Sequence, residues 1–152
     1  MNWFKKYKKL KPPGRSMLTT ILFSLPLIHL CIKLLGLNIT QAILAKFQKR
    51  FPNELPPDSK LHLTRARHIF RYTRLHGPFK GNCLSRSVLM QLLLQNQGIC
   101  SQMIIGVRFD DREFKAHAWL ERDGKPLNES MDVRQRFSVL ENPSLTKETQ
   151  FI

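Results

Sequence analysis

The sequence predicts an α+β fold, with helices first and a small antiparallel sheet after them. Two features carry that prediction. Apolar residues recur every three to four positions up to Gly98 and every second position from Gln102 onward. The alternating part is cut by "DDRE" and "RDGK", turn chemistry at hairpin spacing. A length of 152 residues suits one sizeable core, and there are no internal repeats.

Residues 1–15 are a basic lead-in ending in "KLKPPGR". Helices are expected at 16–36 and 39–51, the second entered through Asn38 or Thr40. "FPNELPPD", residues 51–58, holds three prolines and is the expected boundary between an N-terminal extension, 1–53, and a main domain, 54–152. Asp58 or Ser59 can cap a helix over 59–75, with Leu63, Ala66, Ile69, Phe70 and Tyr72 as its apolar contacts, and "HGP" stops it. The next helix starts at Cys83, with Asn82 as N-cap, Leu84, Val88, Leu89, Leu92 and Leu93 as apolar positions, and Gly98 as its stop. "QMIIGVRF" and "FKAHAWLE" read as strands, and a third is expected near 126–131. On the second strand Phe114, Ala116, Ala118 and Leu120 face one way, while Lys115, His117, Trp119 and Glu121 face the other.

The charge is unevenly placed. Residues 1–53 hold ten Lys or Arg and no acid, so they carry +10 of the formal +14. Such a segment meets an anionic partner or a membrane surface. "MLTTILFSLPLIHLCIKLLG", residues 17–36, is broken by Pro26, His29 and Lys33, which argues against a clean span, and it lacks the cleavage pattern of a signal peptide. Thr19, Pro26, His29, Lys33, Gly36 and Thr40 fall at helical spacing and form a narrow polar stripe. The segment is read as an amphipathic helix that docks on the core, a partner or a membrane face. Beyond Trp3, Phe4 and Tyr7 the basic stretch lacks interleaved aromatics, so no nucleic-acid partner is expected. Three cysteines make no disulfide framework, which favours a reducing, cytoplasmic location, with peripheral attachment at the inner membrane face as the variant.

Cys83 falls in the first turn of its helix, where free N–H groups and the positive dipole end favour thiolate. A nucleophilic thiol needs a base, and the base needs an orienting group. His117 lies on a separate strand, on the face it shares with Trp119, and a turn and an acid follow. Singly, each residue has a bland alternative: a core thiol, a surface imidazole. Arg86 is either a ligand for a substrate carbonyl or a structural ion pair. Cys31 and Cys100 are expected in inert, apolar surroundings. Cys83, Cys100 and His117 lack metal-ligand spacing, and no Gly-rich phosphate loop exists, so no metal or cofactor is expected.

"GNCLSRSVLMQLLLQNQGICSQMIIGVRF", "KAHAWLERDGKPLNES" and "VRQRFSVL" together resemble the leader peptidases of lasso-peptide biosynthesis, transglutaminase-like cysteine proteases with a papain-like order of thiol and imidazole. The resemblance covers about residues 58–140. It implies a helix carrying Cys83 packed on a small antiparallel sheet, with Cys83 as nucleophile, His117 as general base, and Glu129 at the place of the family's aspartate after the "DG" turn. It also implies removal of the leader from a ribosomally made precursor. The length leaves no room for the fused leader-recognition module of some relatives, so a separate recognition protein and the lasso cyclase are the expected partners. Two alternatives stand beside this function: another thiol amidase or acyl transferase on the same fold, or a non-enzymatic, membrane-associated basic module.

Strand parity bears on the third group. A two-residue loop, Asp123-Gly124, would pair Trp119 with Asn128 and turn Glu129 away from His117. A three-residue loop, Asp123 to Lys125, would put Glu129 on the face of His117. The expectation is the longer loop and Glu129, with Asn128 as the alternative.

Overall fold

The computed structural model describes residues 12–46, 59–76, 81–110 and 113–140. Among the described residues four helices come first: α1 (Pro12–Leu35), α2 (Leu37–Ala45), α3 (Ser59–His76) and α4 (Cys83–Gln95). The sheet follows, with β1 (Gln102–Asp110), β2 (Glu113–Arg122), β3 (Lys125–Pro126) and β4 (Ser138–Val139), and a one-turn helix α5 (Val133–Arg136) before the last strand. The strand order is β3-β2-β1-β4. The fold is α+β, as expected. The boundary expected near residue 53, the capping role of Asp58 and the lead-in 1–11 lie outside the described residues.

α1 docks on the core, one of the three surfaces the sequence allowed it. Leu18, Ile21, Leu25 and Ile28, at steps of three and four, are buried in one core with Ala66, Ile69, Val88, Leu89, Leu94, Met103 and Leu120. The opposite face is also apolar: Phe23, Leu27, Leu30 and Leu34 are exposed. Leu18–Leu35 is long and apolar enough to cross a membrane by length and composition. Gly36, at φ 82°, ends α1 and starts α2. Thr40, expected on the stripe, is buried instead, and its hydroxyl donates to the Gly36 carbonyl at 2.7 Å.

α4 starts and stops as its sequence predicts. Asn82 Oδ1 accepts the Ser85 N–H at 2.8 Å and the Ser85 hydroxyl at 2.7 Å, satisfying one of the free donors of the first turn. At the other end Gly98, at φ 75°, lets the Ile99 N–H return to the Leu94 carbonyl at 2.9 Å. Between them Val88, Leu89, Met90 and Leu94 are buried.

β1 and β2 form the long hairpin, with Gly106 opposite His117 and Ile104 opposite Trp119. The alternation along β2 matches the sequence. Ala118 and Leu120 are buried, Leu120 in the helical core, whereas Trp119 packs with Ile104, Val133, Phe137 and Val139 in a second cluster. β4 returns alongside β1, pairing Val139 with Gly106, and no alternation in the sequence announces it.

The turn after β2 corrects the expected loop. Arg122 pairs with Lys125 and Glu121 with Pro126, so the loop is the two residues Asp123 and Gly124. Both have positive φ, 51° and 70°, the backbone of the tight hairpin turn that Asp-Gly favours. β3 is then only two residues long rather than a strand over 126–131.

Candidate active site

Three elements meet at one point. α4 brings Cys83, β2 brings His117, and the irregular chain after β3 brings Glu129. The His117 Nε2–H donates to Glu129 Oε1 at 3.0 Å, with both side chains largely but not wholly buried. The other ring nitrogen, Nδ1, is thereby left for the thiol. A carboxylate only accepts, so Nε2 carries a proton whether the ring is neutral or charged.

The electrostatics are mutual. The hydrogen bond from His117 holds the Cys83 thiol below its usual pKa. Burial works against this, and the backbone N–H groups of Ala118 and Leu84 assist it, the latter from the first turn of α4. His117 is raised to about 9, by its hydrogen bonds to Cys83 first and Glu129 second, again against burial. The arrangement stabilises a thiolate–imidazolium pair braced by a carboxylate.

Glu129 reaches His117 despite the two-residue turn. Parity would have carried it to the opposite face only if β3 had continued as a strand. The ladder stops after Pro126, and residues 127–129 bend instead of continuing the strand. Asn128 is engaged elsewhere: its Oδ1 accepts the Leu120 N–H at 2.8 Å. The Ser130 hydroxyl accepts from Arg136 Nη2 at 2.8 Å.

Around the imidazole lies an aromatic cage. Trp119 stacks beside it, centroids 6.1 Å apart and planes 24° apart. The ring of Phe137 lies 5.2 Å from it, and Arg108 sits 5.2 Å over Phe137 in turn. Gly106 makes room for this stack: a Cβ there would lie 2.7 Å from the Trp119 ring and 2.9 Å from the Phe137 Cβ. Trp119 is held by its indole N–H, which donates to Glu121 Oε1 at 2.7 Å. Glu121 is itself buried, and burial alone would raise its pKa. The Arg134 guanidinium and the indole N–H outweigh that and hold it below the ordinary carboxylate value.

Sequence reasoning singled out Cys83, His117, Glu129 and Trp119 and put Glu121 on their strand face without a role, but missed Arg134, Phe137 and Arg108. The parity of "HAWLE" already sets Glu121 on the face of His117; nothing comparable marks Phe137, which arrives through the one-turn helix. Arg86 lies on α4, part-buried, one turn from Cys83. Cys31 is part-buried, and Cys100 is exposed rather than enclosed by apolar side chains as expected. No group of three or more metal-ligating side chains occurs among the described residues.

A family profile described as the transglutaminase-like superfamily matches residues 30–142, most of the chain and all three groups of the site. Among curated proteins, the microcin J25-processing protein McjB of Escherichia coli is 32% identical over 62 residues, 41% of this chain. The matched stretch spans 29% of that relative's own length. No solved structure matches the chain.

Proposed function

The chain belongs to the transglutaminase-like superfamily, and from that premise we propose that it is a cysteine peptidase that removes the leader from a lasso-peptide precursor. The observation that carries the reading is the convergence itself, with the thiol of Cys83 beside His117 and Glu129 Oε1 3.0 Å from His117 Nε2. Similarity to a protein that processes microcin J25 points to a precursor peptide as substrate.

In this reading thiolate Cys83 attacks the carbonyl carbon at the leader–core junction, and backbone N–H groups near Cys83 stabilise the oxyanion. As the C–N bond breaks, the imidazolium of His117 gives its proton to the leaving amine of the core. The neutral imidazole then takes a proton from water, which attacks the thioester and releases the leader acid with the thiolate restored. Glu129 keeps the ring oriented and stabilises its charged form throughout. A leader-recognition module and a lasso cyclase are the partners this function calls for.

The test is cleavage of the precursor made from a neighbouring reading frame, read by mass spectrometry. Wild-type protein with the recognition protein should release intact leader and core. Cys83→Ala and Cys83→Ser should release neither while keeping the fold, and Cys31→Ala and Cys100→Ala should still cleave. A fully active Cys83→Ala protein would end the reading.

A further inference from the structure

Two side chains stand where the missing backbone bonds of the β2–β3 hairpin would be. With the turn closed at Asp123-Gly124, Leu120 faces Leu127, and one rung further Ala118 would face Glu129. The Leu127 N–H does donate to the Leu120 carbonyl at 2.8 Å. The reciprocal bond is replaced. The Leu120 N–H goes to Asn128 Oδ1 at 2.8 Å, and the Leu127 carbonyl is taken by Nε of Arg67 from α3, whose Nη2 also reaches the Pro126 carbonyl at 3.2 Å.

One rung on, the Ala118 edge is used by α4 rather than by a strand. Its carbonyl accepts the Ser87 hydroxyl at 3.0 Å, and its N–H faces the Cys83 thiol. Asn128 Nδ2 donates to the Ser87 oxygen at 3.4 Å and ties the diverted chain to α4. A continued β3 would take both Ala118 groups for itself. Residues opposite each other across a ladder share a face, so it would also point Glu129 with Ala118 toward the helical core, away from His117.

We propose that Arg67 and Asn128 are positioning residues that end β3 after two residues, leave the Ala118 edge to Cys83 and Ser87, and turn Glu129 back onto His117. Both act through the backbone of residues 126–129. The proposal rests on the reading of Glu129 as the orienting acid.

The experiment needs no substrate. In full-length protein labelled with carbon-13 at histidine, the titration midpoint of His117 is followed by NMR, its resonance assigned by loss in His117→Gln. Glu129→Gln should lower the midpoint by about 1–3 pH units, the span of one close opposite charge. Arg67→Met and Asn128→Ala should each lower it by at least half as much, and neither should lower it further in a Glu129→Gln background. Arg67 is an exposed helix position and methionine a good helix former, so this variant keeps its circular dichroism and carries the test even if Asn128→Ala does not fold. If Glu129→Gln moves the midpoint and Arg67→Met does not, or if the shifts add in the double variants, the positioning role is wrong and the triad stands. If Glu129→Gln itself leaves the midpoint unmoved, the triad reading falls, and this role falls with it.

Discussion

Arg134 forks onto Glu121, Nε to Oε1 at 2.8 Å and Nη2 to Oε2 at 2.6 Å. The pair clamps the one-turn helix α5 onto the face of β2 that carries His117, and Phe137 follows directly after α5. Arg134→Met leaves the buried carboxylate with only the indole N–H. It should cost about 3 kcal/mol in urea unfolding, the low end for breaking a buried pair because Arg134 is half exposed. An unchanged unfolding midpoint would show that Glu121 needs no counter-charge.

On the proposed mechanism, the raised pKa of His117 sets the alkaline limit of turnover. The protonated ring gives the leaving amine its proton, so cleavage should fall as pH rises through about 9. On the acid side the lowered pKa of Cys83 keeps thiolate present below the ordinary thiol range. In a Cys31→Ser/Cys100→Ser protein, iodoacetamide should still alkylate Cys83 at pH 6. Alkylation that appears only above pH 8.5, the unperturbed thiol value of about 8.5, would contradict the ion pair.

Glu129→Gln keeps the shape of the side chain but removes the charge that braces the imidazolium. Turnover should drop roughly 10²- to 10⁴-fold with little change in KM. Glu129→Asp restores the acid found in the family and should retain substantial activity. Equal losses in both variants would indicate that position 129 matters for packing rather than charge.

Gly106→Ala inserts a methyl against Trp119 and Phe137, whose rings and backbones are fixed by Glu121 and β4. Overpacking there should cost about 1–3 kcal/mol. Turnover should fall with it, because both aromatics flank His117. A neutral effect on thermal unfolding would mean the cage is looser than its contacts imply.

The outer face of α1, Phe23, Leu27, Leu30 and Leu34, together with the acid-free basic segment 1–53, fits an anionic phospholipid surface. Co-sedimentation with vesicles containing phosphatidylglycerol should be strong at low salt and weaken with salt and with Phe23→Ser/Leu27→Gln/Leu34→Gln. Equal sedimentation with neutral vesicles would remove the electrostatic part of this expectation.

The long-range logic of the site was legible wherever one residue's neighbours encode its direction. Asn82 before an apolar helix announces where the thiol sits, and alternation in "KAHAWLE" gives the face of His117. Glu129 was reached by resemblance while the geometry offered for it, a three-residue loop, was wrong. Parity governs only a strand that continues, and what stops β3 comes from Arg67, about sixty positions upstream, where no local pattern reveals it. Which of its possible surfaces α1 docks with was not legible for a related reason. Its polar residues do fall at helical spacing, yet tertiary packing chose the line Leu18, Ile21, Leu25, Ile28 and left a second apolar line outside.

That inner line has a consequence for how the molecule comes apart. Leu25 presses its methyl carbons to within 3.3 Å of where a Cβ on Gly81 would be, two residues before the thiol, and its neighbours on α1 wall the core around Leu89 and Leu94. Peeling α1 away would open that core and release the loop that presents Cys83. The amides of α1 and α4 should therefore exchange with deuterium in a single step, at the rate of global unfolding, and no partly opened form should hold an exposed helix and an intact thiolate together.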